Sequence, residues 1–202
     1  MTFYLASTSP RRHELLTQMG VFFDVLNVEV DETLLGGESP EDYVQRVALE
    51  KAQAGLDALP NDPQAVVLGG DTSVICEGEV FGKPENKAHA LEMLMALSGR
   101  EHQVYSAVSV VDSTRQETRL VKTKVRFKTL TLTECENYWQ TGEPLGKAGG
   151  YAIQGLGSVL VTGIDGSYTG VVGLPVAETA QLLSVFGVPI WRGLGPDEVS
   201  SR

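Results

Sequence analysis

The residues from Phe3 to Gly20 constrain the fold more than any other stretch. An apolar run, Phe3-Tyr4-Leu5-Ala6, empties into Ser7-Thr8-Ser9-Pro10, and a helical repeat then begins at Arg11. Leu15, Leu16 and Met19 fall on one stripe of that repeat, with Gly20 as its stop. Pro10 suits the first helical position and Ser9 the N-cap. A buried strand that passes straight into an amphipathic helix needs neighbouring strands and a helical layer, which is the α/β arrangement.

The same alternation continues down the chain. Val21 to Val30 has the β-branched and aromatic content of a strand. Ser39-Pro40-Glu41-Asp42 opens a helix that runs to about Leu59, with Val44, Val47, Ala48, Ala52 and Leu56 in helical period. Ala65 to Leu68 is an apolar strand feeding Gly69-Gly70-Asp71-Thr72, and Ser73 to Ile75 continues it. Asn86 caps a third helix that closes at Gly99, and Val104 to Val111 is a strand. From Val121 to Thr129 the alternation is strict, with Lys122, Lys124, Arg126 and Lys128 on one face; that row predicts a solvated outer face or an edge-strand guard. Helices follow from near Thr133 to Gly142 and from near Pro175 to Gly187. With no repeat and no separating linker, the expectation is one α/β domain over residues 1–192 with a mixed sheet. A mobile polar tail is expected over residues 193–202.

Composition excludes several functions. The net charge of −10 argues against a nucleic-acid polymer as partner, although a local basic pocket could still hold a small polyphosphate. No apolar run is long enough to span a bilayer. The N-terminal charges follow the apolar run, the reverse of a secretory signal, so a cytoplasmic protein is expected. Cys76 and Cys135 are far apart, and His13, His89 and His102 have no metal-ligand spacing.

Anion chemistry is better supported. Ser7-Thr8-Ser9-Pro10-Arg11-Arg12 joins free backbone N–H groups at a helix start to two guanidinium forks, a natural phosphate site. Asp71 and the pair Asp31-Glu32 are placed at strand ends by this reading, where α/β folds bind ligands, and oxygen-only donors suit magnesium or manganese. Glu50-Lys51-Ala52 and Gly82-Lys83-Pro84 each offer a lysine. Two familiar glycine motifs fail: Gly142 and Gly146-Lys147 lack the spacer and hydroxyl of a phosphate loop. Gly155-Leu156-Gly157 lacks the third glycine of a dinucleotide fingerprint. The glycine-rich stretch Gly146 to Gly155 lets backbone approach a ligand, and Gln154 could read a base edge.

Taken together, these segments resemble the Maf family of nucleoside triphosphate pyrophosphatases, relatives of the inosine triphosphatase fold. The resemblance runs from Leu5-Ala6-Ser7-Thr8-Ser9-Pro10-Arg11-Arg12 to Val172-Gly173-Leu174-Pro175. Gly146 stands where related sequences often carry Asp. The resemblance implies an elongated mixed sheet flanked by helices, two lobes with a central cleft, and a homodimer. It implies hydrolysis of dTTP and UTP to the monophosphate and pyrophosphate, with Asp71 as proton acceptor. For that reaction Glu32 and Asp71 are the expected ligands of a divalent cation, Mg2+ or Mn2+. Arg11, Thr72 and Gln154 would help set base choice. Ser7, Ser9, Arg12, Lys51 and Lys83 would hold the phosphates. The rival readings are the same chemistry on 7-methyl-GTP or another non-standard nucleotide, and a nucleotide-binding regulator of cell division.

Overall fold

A computed structural model describes residues 2–192 of the chain; the expected tail at 193–202 lies outside the described residues. Seven strands form one mixed sheet in the order β2-β1-β3-β5-β6-β7, with β4 pairing on β3. β1 (Thr2–Leu5) runs parallel to β2 (Asp24–Val25) and to β3 (Ala65–Cys76). β4 (Glu79–Phe81), β5 (Glu101–Val111), β6 (Gln116–Phe127) and β7 (Val161–Asp165) complete it with antiparallel pairs. The helices are α1 (Pro10–Gln18), α2 (Pro40–Asp57), α3 (Lys87–Leu97), α4 (Leu132–Gln140), α5 (Tyr168–Val172) and α6 (Val176–Val185). The mixed α/β class expected from the sequence is the observed one, and no helix among the described residues is long and apolar enough to cross a membrane.

Helix starts follow their capping chemistry. Ser39, Asn86 and Thr131 accept from the backbone N–H groups of Asp42, His89 and Glu134. Ser9 occupies the N-cap position of α1 but its side chain makes no capping bond. Instead Ser7 Oγ accepts from the Ser9 N–H at 3.2 Å, so this hydroxyl-rich turn is held locally.

Two strand expectations are corrected. Of Val21 to Val30 only Asp24 and Val25 pair, because β1 is four residues long and offers a short edge. The chain makes one further bond, from the Leu26 N–H to the Leu5 carbonyl, and residues 27–39 leave the sheet as an exposed loop. Asp31 and Glu32 therefore lie on a loop and not at a strand end. The second correction concerns Asp71. β3 is continuous through Gly69 and Gly70, which puts Asp71 in the middle of a twelve-residue strand. It still lies beyond the end of β1, whose pairing with β3 stops at Leu68.

The basic face of β6 is a solvated outer face. Lys122, Lys124 and Lys128 pair with Glu41, Glu101 and Glu134, while Thr123, Val125 and Phe127 are buried on the opposite face. Cys76 and Cys135 are both buried free thiols.

α2 crosses β3 on a stripe of Val44, Val47, Ala48, Ala52 and Gly55, all buried. Lys51 falls on that stripe, four residues after Val47, so its stem is held between helix and sheet. The close approach depends on Gly69: a Cβ there would overlap the Ala48 carbonyl oxygen and lie 2.5 Å from the Ala52 nitrogen, both backbone atoms. Gly36, on the exposed loop, has nothing within 4 Å. Gly69→Ala should lower the unfolding free energy by about 1–3 kcal/mol through overpacking, whereas Gly36→Ala should stay within about 0.5 kcal/mol. Urea melts of the two variants check this; equal stability of both would refute the packing argument.

Candidate functional site

The cleft of about 630 Å³ is bounded by the β1–α1 turn, α2, the middle of β3, the Gly82-Lys83 loop, the glycine-rich segment and the α5 end. Asp71 stands on its floor. Its Oδ1 accepts from Lys51 Nζ at 2.9 Å and its Oδ2 from Ser73 Oγ at 3.3 Å. The same Lys51 ammonium lies 2.7 Å from Glu32 Oε1. One cation thus draws together an acid from the sheet and an acid from a loop. Lys51 and Asp71 side chains are 12% and 10% exposed, against 43% for Glu32, so the Asp71 contact is the drier and stronger half.

The loop carrying Glu32 is fixed from α2. The Tyr43 hydroxyl donates to the Glu32 carbonyl at 2.9 Å. Arg46 donates to the Thr33 carbonyl at 3.0 Å and forms an ion pair with Glu38 at 2.6 Å. Burial, with the nearby charges of Asp71 and Glu32, pushes the Tyr43 hydroxyl up to about 12, so it stays a neutral donor.

The same cleft carries a cationic wall. Arg12 is 9% exposed; its Nε donates to the Gly173 carbonyl at 2.9 Å and its Nη1 to Ser7 Oγ at 3.1 Å. Arg11 Nε donates to the Val172 carbonyl at 3.1 Å. Among the described residues neither arginine has a carboxylate within ion-pair distance. Burial lowers the pKa of both guanidiniums and outweighs the opposing charges of Glu14 on Arg11 and of Asp71 and Glu32 on Arg12. Lys83 lines the cleft from an exposed loop, and it too carries no ion pair among the described residues. A wall of this kind is complementary to an anion with several oxygens.

The remaining expected residues fall in the same place. Ser7, Ser9 and Thr72 line the cleft; Thr72 Oγ1 is hydrogen-bonded to Ser106 Oγ at 2.7 Å. Gln154 lines the opposite rim with its side chain exposed. All ten expected positions (Ser7, Ser9, Arg11, Arg12, Glu32, Lys51, Asp71, Thr72, Lys83 and Gln154) therefore share one cleft. His13 faces an adjoining depression of about 300 Å³ that shares residues 7–10 with the cleft, and its ring lies 4.9 Å from that of Phe23.

Other lining residues are not singled out by the sequence. Tyr43 shares the Val47 and Lys51 face of α2 at four-residue steps, a spacing that could have found it. Lys147 also lines the cleft; burial and the nearby Arg11 lower its pKa. The carbonyls of Val172 and Gly173 are invisible to a reading of side chains. Gly173 presents its carbonyl at φ 141, a conformation that favours glycine.

Comparison with known proteins gives the family of the chain. Residues 2–186 match the family described as Maf-like protein, and the chain belongs to that family. It is 50% identical over 194 residues to a dTTP/UTP pyrophosphatase of Saccharophagus degradans, covering 96% of this chain and 92% of the relative. It is 55% identical over 181 residues to a dTTP/UTP pyrophosphatase of Pseudoalteromonas atlantica, covering 89% and 94%. A similarly named protein of Vibrio parahaemolyticus is 53% identical over 186 residues, covering 92% and 97%. Among solved structures, the nucleoside-triphosphatase / dITP/XTP pyrophosphatase of Mycobacterium abscessus is similar at 15% identity and a TM-score of 0.43, over 93% of this chain and 95% of that one.

The lysine-bridged acid pair has a pH consequence. Burial raises the Glu32 pKa, but the hydrogen bond and charge of Lys51, with Lys83 and Arg12, outweigh it and hold the carboxyl below its ordinary 4.5. A depressed carboxylate contributes stability above its unfolded pKa and loses it as pH falls through the folded value. Glu32→Gln should therefore be less stable than wild type above about pH 4.5, by at most about 1 kcal/mol given the exposure of Glu32. The difference should vanish on acidification. Urea midpoints across that range check it, and a gap that widens toward acid would contradict it.

Proposed function

We propose that this protein hydrolyses nucleoside triphosphates, dTTP and UTP foremost, to the monophosphate and pyrophosphate. The observation that carries the proposal is a single cleft in which a lysine-bridged acid pair faces Arg11, Arg12 and Lys83, three cations that have no carboxylate partner among the described residues. The near-full-length identity to relatives named dTTP/UTP pyrophosphatase supports the choice of substrates.

In this reading the triphosphate lies along the cationic wall. Arg11, Arg12, Lys51 and Lys83 neutralise its oxygens, with Ser7 and Ser9 donating from the β1–α1 turn. Preorganised charge of this kind needs no rearrangement as the leaving pyrophosphate gains charge, and in phosphoryl chemistry it supplies most of the rate enhancement. Asp71 orients a water toward the α-phosphorus and takes its proton at a carboxylate oxygen. Attack breaks the bond between the α-phosphorus and the bridging oxygen, and pyrophosphate departs into the wall. Arg11, Thr72 and Gln154 contact the base or its sugar and set base preference.

A divalent cation, Mg2+ or Mn2+, fits the donor set as a companion of the substrate. Among the described residues no cluster of three or more His, Cys, Asp or Glu forms a complete metal site. Glu32 and Asp71 supply two carboxylates that already converge on one cation, and phosphate oxygens and water would complete the octahedron. When bound, such a cation would acidify the attacking water and shield the phosphate charge. The proposal includes a single domain over residues 1–192, a cytoplasmic setting, and a homodimer.

Product analysis after incubation with dTTP and magnesium should show dTMP and pyrophosphate. Asp71→Asn should lower kcat by about a hundredfold or more, the range of a general base, while still binding dTTP. Release of orthophosphate and dTDP, or near-normal turnover by Asp71→Asn, would overturn the mechanism.

A further inference from the structure

The Gly155-Leu156-Gly157 stretch, which matches no dinucleotide motif, serves a different purpose in the structure. Glu143, three residues after α4, directs its carboxylate at it. That carboxylate accepts from the backbone N–H of Leu156 at 2.9 Å, the N–H of Gly157 at 2.8 Å and the Tyr138 hydroxyl at 2.7 Å. The Tyr138 hydroxyl in turn accepts from the Ala152 N–H at 3.1 Å. These two side chains grip the chain at residue 152 and again at residues 156–157. Between the grips, Ile153 and Gln154 line the cleft, whereas Glu143 and Tyr138 do not.

The glycines are what allow the grip to close. A Cβ on Gly155 would overlap Glu143 Oε1 and stand 2.7 Å from its Cδ. A Cβ on Gly157 would stand 2.5 Å from the Tyr138 hydroxyl and 2.8 Å from the Ala152 carbonyl oxygen. The segment is also anchored upstream, where the Tyr151 hydroxyl is 2.9 Å from Nε2 of the buried His102. Burial raises the Glu143 pKa, but its three donors outweigh this and keep it low, so the group is ionised and accepts only. Four hydrogen bonds and two steric constraints thus hold six residues, of which the exposed side chain in the cleft is Gln154.

We propose that Glu143, through Tyr138 and the backbone of residues 152–157, is a positioning residue that sets base selectivity by holding the Gln154 amide at the height of the base edge. This rests on the nucleotide-hydrolysing reading above. A hydrogen bond to an amide edge is directional, and a shift of a few tenths of an ångström weakens it. The phosphate cradle, built from the β1–α1 turn, α1, α2, β3 and the Gly82-Lys83 loop, shares none of these contacts. Disturbing the clamp therefore changes which base is accepted and leaves the phosphate chemistry intact.

The test is steady-state kinetics with dTTP and dCTP for wild type, Glu143→Gln, Tyr138→Phe, Gln154→Ala and the Glu143→Gln/Gln154→Ala double variant. Glu143→Gln and Tyr138→Phe keep shape and each removes part of the clamp, so both should fold. The ratio of kcat/KM for dTTP over dCTP should fall about tenfold in each, the scale of the one neutral hydrogen bond between the Gln154 amide and the base. The loss should lie in KM for dTTP, with kcat within about twofold of wild type. The double variant should lose no more selectivity than Gln154→Ala alone, because both changes act through one contact. An active wild type whose ratio is unmoved in Glu143→Gln, or a double variant whose losses add, overturns this inference alone. A wild type that turns over neither nucleotide overturns the functional reading and this inference with it.

Discussion

The ammonium of Lys51 holds the site together. It reaches from the buried stripe of α2, past the glycine that lets the helix sit close on β3, and ends between Asp71 and Glu32. Two carboxylates brought this near to each other would repel, and the repulsion grows as water is excluded. A shared cation removes that penalty and fixes where both acids point. The rest of the local architecture serves this contact: continuous β3 delivers Asp71 at mid-strand, and Tyr43 and Arg46 bind the carbonyls and Glu38 of the loop that delivers Glu32.

The arginines stand in the opposite situation. Arg12 is almost wholly buried, yet its hydrogen-bond partners are a carbonyl and a hydroxyl, both neutral. The charges of Asp71 and Glu32 act on Arg12 without an ion pair and only partly offset its burial, and a buried guanidinium left so is favourable to an anionic ligand. The protein as a whole is acidic, at −10, so this positive wall is a local exception within a negative surface. In the proposed mechanism the cleft divides its work by charge: the acids manage a water and the cations receive the leaving group.

Much of this is legible in the residues. The strand-turn-helix of Phe3 to Gly20, the capped starts at Ser39 and Asn86, and the alternation of Val121 to Thr129 all have local physical signatures, and each is found. What the residues hide is non-local. Val21 to Val30 has strand composition but lacks a partner edge long enough to use it, which no window of sequence reveals. Asp71 reads as a strand-end residue because Gly69-Gly70 looks like a break. Those glycines instead admit α2 and, at Gly70, the side chain of Arg12, so the strand runs through. The site residues themselves emerge mainly through ordered motifs spread along the chain, since single segments such as Glu50-Lys51-Ala52 carry little signal alone. Carbonyl partners such as Gly173, and the clamp of Glu143 on the glycine-rich segment, arise from backbone geometry and have no side-chain pattern to betray them.

The central claim is that one cleft holds the triphosphate between these two walls, with the α-phosphorus beside Asp71. A crystal structure with a non-hydrolysable α,β-imido analogue of dTTP and magnesium tests it most directly. The account predicts phosphate oxygens within hydrogen-bond distance of Arg11, Arg12 and Lys83, and the α-phosphate beside the Glu32–Lys51–Asp71 trio. An analogue seated in the adjoining depression beside His13 and Glu14, or one whose phosphates point away from Arg12, would contradict it.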